Sequence, residues 1–243
     1  MSAPEWTDAA LAPVRQLWRP AESYRQLARS PAVAMVAALL VVLLANAALV
    51  PLLFGDRAIE ESRRDLAESL VLEGRTAAEA DSLSAAEADA FREGRWAIPL
   101  VELVTRAFYA LIGGLATFGV VYAASWDWKR SLWRHLKAAW MAMAAYATVS
   151  LVLAVLSRLL GAPWLGGPSP AMLMPIPAEP SRLYVFAFRF LQHLDLQSAA
   201  TVAVWGIGVS SLFERSPSFG LKLVAFVYSC GLFLLAAPVL LSG

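Results

Sequence analysis

Charged side chains inside otherwise apolar sequence are the strongest candidates for chemistry in this chain of 243 residues. Glu102 and Arg106 lie four residues apart with the acid first, the favourable order for an ion pair on a helix. We interpret them as a structural pair, and a proton or substrate site is the alternative hypothesis. A path for a transported solute would need more such residues, and the sequence offers few: Asn46, Arg158, Arg189 and Asp195.

The residue types that most often bind metals or act as nucleophiles do not form a recognisable set. The two histidines, His135 and His193, are far apart, and the single cysteine, Cys230, lies in an apolar run. Each histidine is interpreted as a hydrogen-bonding residue at a membrane surface, and Asp195 as the N-cap of a helix. Because no zinc, nucleophile-elbow or phosphate-loop motif occurs, we predict no enzymatic activity, no cofactor and no metal.

The composition indicates a membrane protein. The chain is 59% hydrophobic and 16% charged, whereas soluble domains are about 45–50% apolar and about 25% charged. Such an excess is expected when several helices face lipid. The net charge of +1 provides no basic field, so we predict no nucleic-acid partner.

Five apolar segments predict an all-α polytopic membrane protein with five transmembrane helices. The first, residues 32–54, contains no charged side chain and would form a helix about 34 Å long, enough to cross a hydrocarbon core of about 30 Å. Residues 183–194 precede the fourth span. They either lie at the membrane interface or enter the membrane only partway. The remaining predicted spans are residues 97–124, 137–160, 196–213 and 219–241.

Residues 1–31 form a separate amphipathic segment before the first span. Apolar and aromatic residues recur at steps of three or four, with arginines away from that stripe, and Pro20 predicts a break before a short helix. We favour a helix lying on anionic headgroups. The alternative is a helix packed on the bundle.

The longest polar stretch, residues 55–96, carries eleven acidic residues against six arginines. Two capping boxes, Thr76 with Glu79 and Ser84 with Glu87, predict helix starts within it. We therefore predict a short helical insert of two or three helices outside the bilayer, with a solvated acidic surface.

Short basic segments predict the orientation. The N-terminal segment and the connection after the second span are rich in lysine and arginine, whereas residues 161–182 contain only Arg182. Because short basic segments stay on the cytoplasmic side, we predict a cytoplasmic N-terminus. The insert, residues 161–182 and the C-terminus are then external.

Small residues at helical spacing mark a packing face on the fourth predicted span. At about 100° per residue they fall on one stripe, which we predict to be the tightest helix contact in the protein. An internal contact with the glycine-bearing part of the second span is favoured, and a docking face for a partner is the alternative. The stripe comprises Ala199, Ala203, Gly206 and Ser210, whereas the opposite, bulkier face suited to lipid comprises Val202, Trp205, Val209 and Phe213.

The order of these features resembles a known family. Residues 17–31 read LWRPAESYRQLARSP, the acidic helical insert follows the first span, and Leu194-Asp195-Leu196 leads to WGIGV at 205–209 and a Ser-Pro turn. This order resembles bacterial members of the Yip family, multi-spanning membrane proteins related to the Ypt/Rab-interacting proteins. The resemblance implies a five-helix domain over residues 32–243, in the bacterial cytoplasmic membrane, with a cytoplasmic N-terminus and no catalytic residues.

Two functional hypotheses follow. The favoured one is a non-enzymatic scaffold or accessory partner in the assembly of another membrane complex, such as an export system, as the resemblance implies. Its expected partners are the lipid bilayer and another membrane protein or a second copy of itself, without a small-molecule substrate. The rival is a subunit of a transporter or channel, which needs buried polar groups along a path.

Overall fold

The computed structural model describes residues 3–29, 31–53, 55–72, 75–125, 131–160, 169–175 and 181–241, and no strand occurs among them. Single helical turns lie at Arg95–Ala97 and Pro170–Leu173. The described α-helices are α1 (Ala3–Arg15), α2 (Pro20–Arg29), α3 (Pro31–Leu53), α4 (Asp56–Leu72), α5 (Ala77–Gly94), α6 (Ile98–Ser125), α7 (Leu132–Leu159), α8 (Arg182–Gln192), α9 (Leu196–Leu212), α10 (Pro217–Ala236) and α11 (Pro238–Leu241).

Four helical stretches in the described residues are long and apolar enough to cross a membrane: α3, α6 with its extension into α5, α7 and α10. The fifth predicted span, α9, is apolar but has 17 residues, about 26 Å. The all-α fold with several candidate spans is therefore confirmed, and the count of five stays a prediction. The predicted irregular loop over 161–181 lies largely outside the described residues. The predicted basic connection spans 125–136; residues 126–130 lie outside the described residues, and its last residues belong to α7, which begins at Leu132.

Helix α7 is the centre of the bundle, with α3, α6 and α9 packed around it. Its first half is a run of buried alanines that includes Ala138, Ala142 and Ala145. Side chains this small let neighbouring backbones approach closely, which is how helices associate where lipid is as apolar as the protein.

The two ends of the bundle differ, and we name them by what packs there. At the N-terminal end, α1 and α2 lie against α3, α7 and α9. At the hairpin end, α3 leads into α4 and α5, which pack on each other and join the bundle at Arg95–Ala97.

The N-terminal segment is amphipathic as predicted, with α2 starting at Pro20, and part of its apolar face is covered by protein. Tyr24 is fully buried, and its ring lies so close to Gly208 of α9 that a Cβ there would overlap it. Around Tyr24 and Leu27 this face packs on the bundle, whereas Trp18 and Ala28 are exposed, so the interpretation that the segment lies on headgroups stays a prediction. Arg19, Arg25 and Arg29 remain exposed.

The small-residue stripe of α9 packs on α10, in the most extensive contact between two described helices. A Cβ at Gly206 would lie 2.8 Å from Leu221 Cα, and Ser210 Oγ accepts a hydrogen bond from the Gly220 N–H at 3.0 Å. The prediction that this stripe contacts the second span is therefore wrong. The other end of the stripe is more open, with Ala199 exposed and Ala203 half-buried.

The opposite face of α9 does not face lipid. Trp205 and Val209 are buried, and the Trp205 ring fills the space beside Gly113 of α6. The assignment of this bulkier face to lipid is therefore wrong, because the glycines of α6 receive large side chains: Gly113 faces Trp205, and Gly114 faces Leu136 of α7.

The insert contains two α-helices. Thr76 and Glu79 form the predicted capping box, with Thr76 N–H donating to Glu79 Oε2 at 3.1 Å and Glu79 N–H to Thr76 Oγ1 at 3.3 Å. The second predicted box is wrong. Ser84 is buried inside α5, where its hydroxyl donates to the Asp81 carbonyl, because the helix starts seven residues earlier, at Ala77.

Candidate functional site

A break between α8 and α9 lies within the bundle rather than at its edge. Asp195 caps α9, its Oδ1 accepting from the Ser198 N–H at 2.7 Å, as the sequence predicts. The Tyr228 hydroxyl of α10 donates to the His193 carbonyl at 2.7 Å. Since Tyr228 is eight residues before the end of α10, the break lies about 12 Å inside the hairpin end.

At the same depth, α6 contributes an ion pair. Arg106, eight residues after the start of α6, places Nη2 2.7 Å from Glu102 Oε2. The Arg106 side chain is 16% exposed and that of Glu102 34%. The guanidinium carbon also lies 4.2 Å from the ring centroid of Tyr146 on α7, in cation–π geometry.

Tyr146 connects the ion pair to the helix break. Its ring lies against the Arg106 guanidinium, and its main-chain carbonyl accepts from Ser150 Oγ, which contacts Gln197 in the first turn of α9. Tyr228 reaches the break through its hydrogen bond to the carbonyl of His193, two residues before Asp195. We call these five residues, Glu102, Arg106, Tyr146, Asp195 and Tyr228, the break cluster.

Neutral polar side chains line the inner side of the break cluster. Gln197 and Ser198, in the first turn of α9, are buried. Ser150 Oγ of α7 lies 3.2 Å from Gln197 Oε1 and 2.9 Å from the Tyr146 carbonyl. Four helices thus bring polar groups to one level of an otherwise apolar bundle.

The hydrogen bonds of the break cluster are incomplete. The Arg106 Nε is buried and has no hydrogen-bond partner in the described part of the chain. Asp195 forms no ion pair with a described lysine or arginine, although α9 begins at its carboxylate. Two carboxylates and one guanidinium give the cluster a formal charge of −1.

Three of the polar residues singled out in the sequence, Glu102, Arg106 and Asp195, come together here, and three do not. Asn46 is buried on α3, while Arg158 and Arg189 are exposed. Sequence reasoning missed Tyr146 and Tyr228, since tyrosines inside apolar spans carry no local signal that distinguishes a site from packing.

The two histidines lie at opposite ends. His135 is fully buried near the start of α7, and its position at a membrane surface stays a prediction. Its Nδ1 is 3.1 Å from Thr117 Oγ1, and its ring lies against Phe118 and Phe213. His193 is exposed beside the break. No group of three or more potential ligands (histidine, cysteine, aspartate or glutamate) occurs among the described residues.

Comparison with known protein families, with curated proteins and with solved structures gives no match to this chain.

Proposed function

We propose that this chain is a non-enzymatic integral membrane protein of the Yip type. It acts as a scaffold or accessory partner in the assembly of another membrane complex, such as an export system. The observation that carries this proposal is the helical hairpin of α4 and α5, which packs on itself and leaves most of its surface uncovered.

The hairpin has its own stabilising contacts. Arg63 of α4 forms ion pairs with Glu60 at 2.7 Å and with Asp81 of α5 at 2.6 Å. At its base, Arg95 pairs with Asp56 at 2.7 Å. The face of α5 towards α4 consists of small buried residues, Ala80, Ser84 and Ala88, which lets the two helices lie close together.

The outward side of the hairpin suits a protein partner. Glu87 and Glu93 are exposed, and Leu83, on the same helix, is 50% exposed. A surface with apolar and acidic groups on a preformed helix can dock a basic amphipathic segment without ordering a loop first. A small substrate would instead need a concave site.

We further propose that the N-terminus is cytoplasmic and the hairpin external, in the cytoplasmic membrane of a bacterium. The basic residues of α2 and of the connection after α6 support this orientation. A Ser82→Cys substitution in a Cys230→Ser background tests it, because Ser82 is exposed. We expect labelling by an impermeant thiol reagent in intact cells, and labelling only after permeabilisation would contradict the orientation.

Copurification from native membranes tests the scaffold role. We expect a stoichiometric partner with the wild type, and its loss in the double variant Glu87→Lys, Glu93→Lys. Glu214→Lys, which reverses an exposed carboxylate at the N-terminal end, is the matched control and should keep the partner. Absence of any stoichiometric partner would contradict the scaffold role, and a partner unaffected by the double variant would exclude the hairpin as its docking surface.

The break cluster favours a second candidate, a subunit of a transporter or channel. Transporters place ion and substrate sites at discontinuous helices, where charged groups and free main-chain groups meet inside the membrane. Uptake or conductance by the purified protein alone, abolished by Glu102→Gln in a stable, inserted protein, would support this candidate over the scaffold.

A further inference from the structure

We propose that the break cluster binds the headgroup of a zwitterionic phospholipid, with the lipid phosphate at Arg106 and its primary ammonium at Asp195. This inference concerns a site separate from the hairpin and does not depend on the proposed assembly role.

The depth of the cluster suits a lipid headgroup. Helix α6 has 28 residues and is about 42 Å long, so each end extends about 6 Å beyond a hydrocarbon core of about 30 Å. Arg106 is about 12 Å from the start of α6, hence about 6 Å below the edge of the hydrocarbon. A headgroup has to move about 6 Å inward from the edge of the hydrocarbon to reach Arg106. The long arginine side chain can extend towards the interface, which reduces this distance further.

The cluster is also open towards the bilayer. Glu102 lies at the edge of the exposed face of α6, since its side chain is 34% exposed. Tyr109 follows seven residues later, on the same side of the helix, and is 48% exposed. An acyl chain can therefore continue from the cluster along Tyr109 and its exposed neighbour Ile112 towards the middle of the membrane.

Arg106 is the group that recognises the phosphate. One of its nitrogens, Nη2, is paired with Glu102, while Nε is buried without an acceptor among the described residues. A phosphate, like a carboxylate, offers charged oxygens that match the geometry of a guanidinium. The Tyr146 ring centroid lies 4.2 Å from the guanidinium carbon, and the ring restricts its movement before the lipid arrives.

Asp195 is the group that recognises the ammonium. Its Oδ1 is occupied by the Ser198 N–H, and no described lysine or arginine pairs with it. A primary ammonium has three N–H donors and can bind this carboxylate directly. Choline has no N–H donor, and a glycerol headgroup brings a second hydroxyl and a net negative charge next to Asp195. The predicted order of preference is therefore ethanolamine over choline over glycerol.

Native mass spectrometry of the full-length protein tests the proposal. The purified protein is given an equimolar mixture of phosphatidylethanolamine, phosphatidylcholine and phosphatidylglycerol with identical acyl chains. We expect the wild type to retain phosphatidylethanolamine about tenfold over phosphatidylglycerol, as one charge-assisted hydrogen bond predicts. Equal retention of the three lipids would overturn the proposal.

Two variants connect the preference to the cluster. Arg106→Gln and Asp195→Asn should each remove it, and Asp195→Asn is decisive because asparagine caps a helix as well as aspartate does. Arg189→Gln, at an exposed arginine of α8, is the matched control and should keep the preference. A preference that survives Asp195→Asn would overturn the proposal, even if Arg106→Gln failed to fold.

A competition experiment identifies the source of the headgroup. Water-soluble glycerophosphoethanolamine is added at the concentration of the lipid, and we expect the lipid to stay bound because its acyl chains add contacts along α6. Displacement at equal concentration would mean that the ligand is a soluble zwitterion, which contradicts a lipid site.

Discussion

Both ends of the bundle hold polar side chains among apolar helices, but they satisfy them differently. At the N-terminal end two neutral, buried side chains bond to main-chain carbonyls of α7. Gln16 Nε2 donates to the Met141 carbonyl at 2.8 Å, and the Tyr24 hydroxyl to the Ala138 carbonyl at 3.1 Å. Burial also raises the pKa of the Tyr24 phenol, so it stays a donor at any physiological pH.

At the hairpin end the break cluster contains charged, partly exposed groups, and its ion pair is bonded within the cluster. Arg106 meets Glu102 and Tyr146 rather than a main-chain carbonyl, and Asp195 stands at an interrupted helix. This difference indicates that a ligand can add hydrogen bonds at the hairpin end. Neutral donors that already reach carbonyls hold helices together, whereas charges with unused bonding capacity need a further group.

The largest expected effect is at the N-terminal end. Tyr24→Ala removes a fully buried ring that packs on Gly208 and bonds to Ala138, so we expect a loss of about 3 kcal/mol or more in the free energy of unfolding. Denaturant unfolding in detergent measures it. Trp18→Ala, at an exposed aromatic residue before the same helix, is the control and should change it by about 0.5 kcal/mol or less. Equal losses would mean that α2 is not docked as described.

The next largest loss of stability is expected at the close contact between α9 and α10. A Cβ at Gly220 would overlap the Gly206 carbonyl and the Ser210 hydroxyl of α9, so Gly220→Ala should cost about 2 kcal/mol. Gly231→Ala, on the same helix with open space around it, should be neutral or slightly stabilising. If the two variants unfold alike, the α9–α10 contact is looser than these distances require.

A substitution at the hairpin end should lower the free energy of unfolding less. Glu102→Gln leaves Arg106 without its partner, and because both side chains are partly exposed we expect a loss of about 1 kcal/mol. Removing both charges in Glu102→Gln, Arg106→Gln should cost less than removing one. A double-mutant cycle measures this coupling, and strictly additive losses would contradict the pair.

An effect of similar size is expected locally in the hairpin. Thr76→Ala removes the cap of α5 and should lower the stability of the helix by about 1 kcal/mol. Hydrogen-exchange protection in the first turn of α5 should fall as a result. Ser84→Ala, inside the helix, should leave that turn unchanged.

The same cap depends on pH. The hydrogen bond from the Thr76 N–H lowers the pKa of Glu79 below its usual value of 4.5. Because the folded pKa is the lower one, the stabilisation is present above pH 4.5 and is lost as the pH falls through the folded pKa. Protection of the first turn that does not change on acidification would contradict this prediction.

Local sequence patterns predicted the positions of the helices well, but they predicted poorly which helices pack against each other. Apolar runs placed α3 and α6 to within a residue or two, and hydroxyl–acid spacing found the Thr76 cap. The partner of Gly206 could not be found in this way, because several helices carry small faces and only the assembled bundle selects α10 over α6. The same holds for Trp205, whose burial depends on Gly113 of a distant segment.

The break cluster was predictable residue by residue but not as a site. Glu102, Arg106 and Asp195 stood out as charges in apolar sequence, whereas their assembly depends on how deep α9 begins. That depth follows from the contacts of α8 and α9 with α10, which no periodicity in the sequence contains.

The most direct test of the contrast compares Asp195→Asn with Tyr24→Phe in two measurements, unfolding in detergent and retention of phosphatidylethanolamine over phosphatidylglycerol. We expect Asp195→Asn to lose the lipid preference with unchanged stability, because its cap is kept. Tyr24→Phe should lose about 1 kcal/mol of stability, from its hydrogen bond, and keep the preference. If Asp195→Asn unfolds as easily as Tyr24→Phe and still retains the lipid, the two ends do not differ in kind and the break cluster is a structural contact.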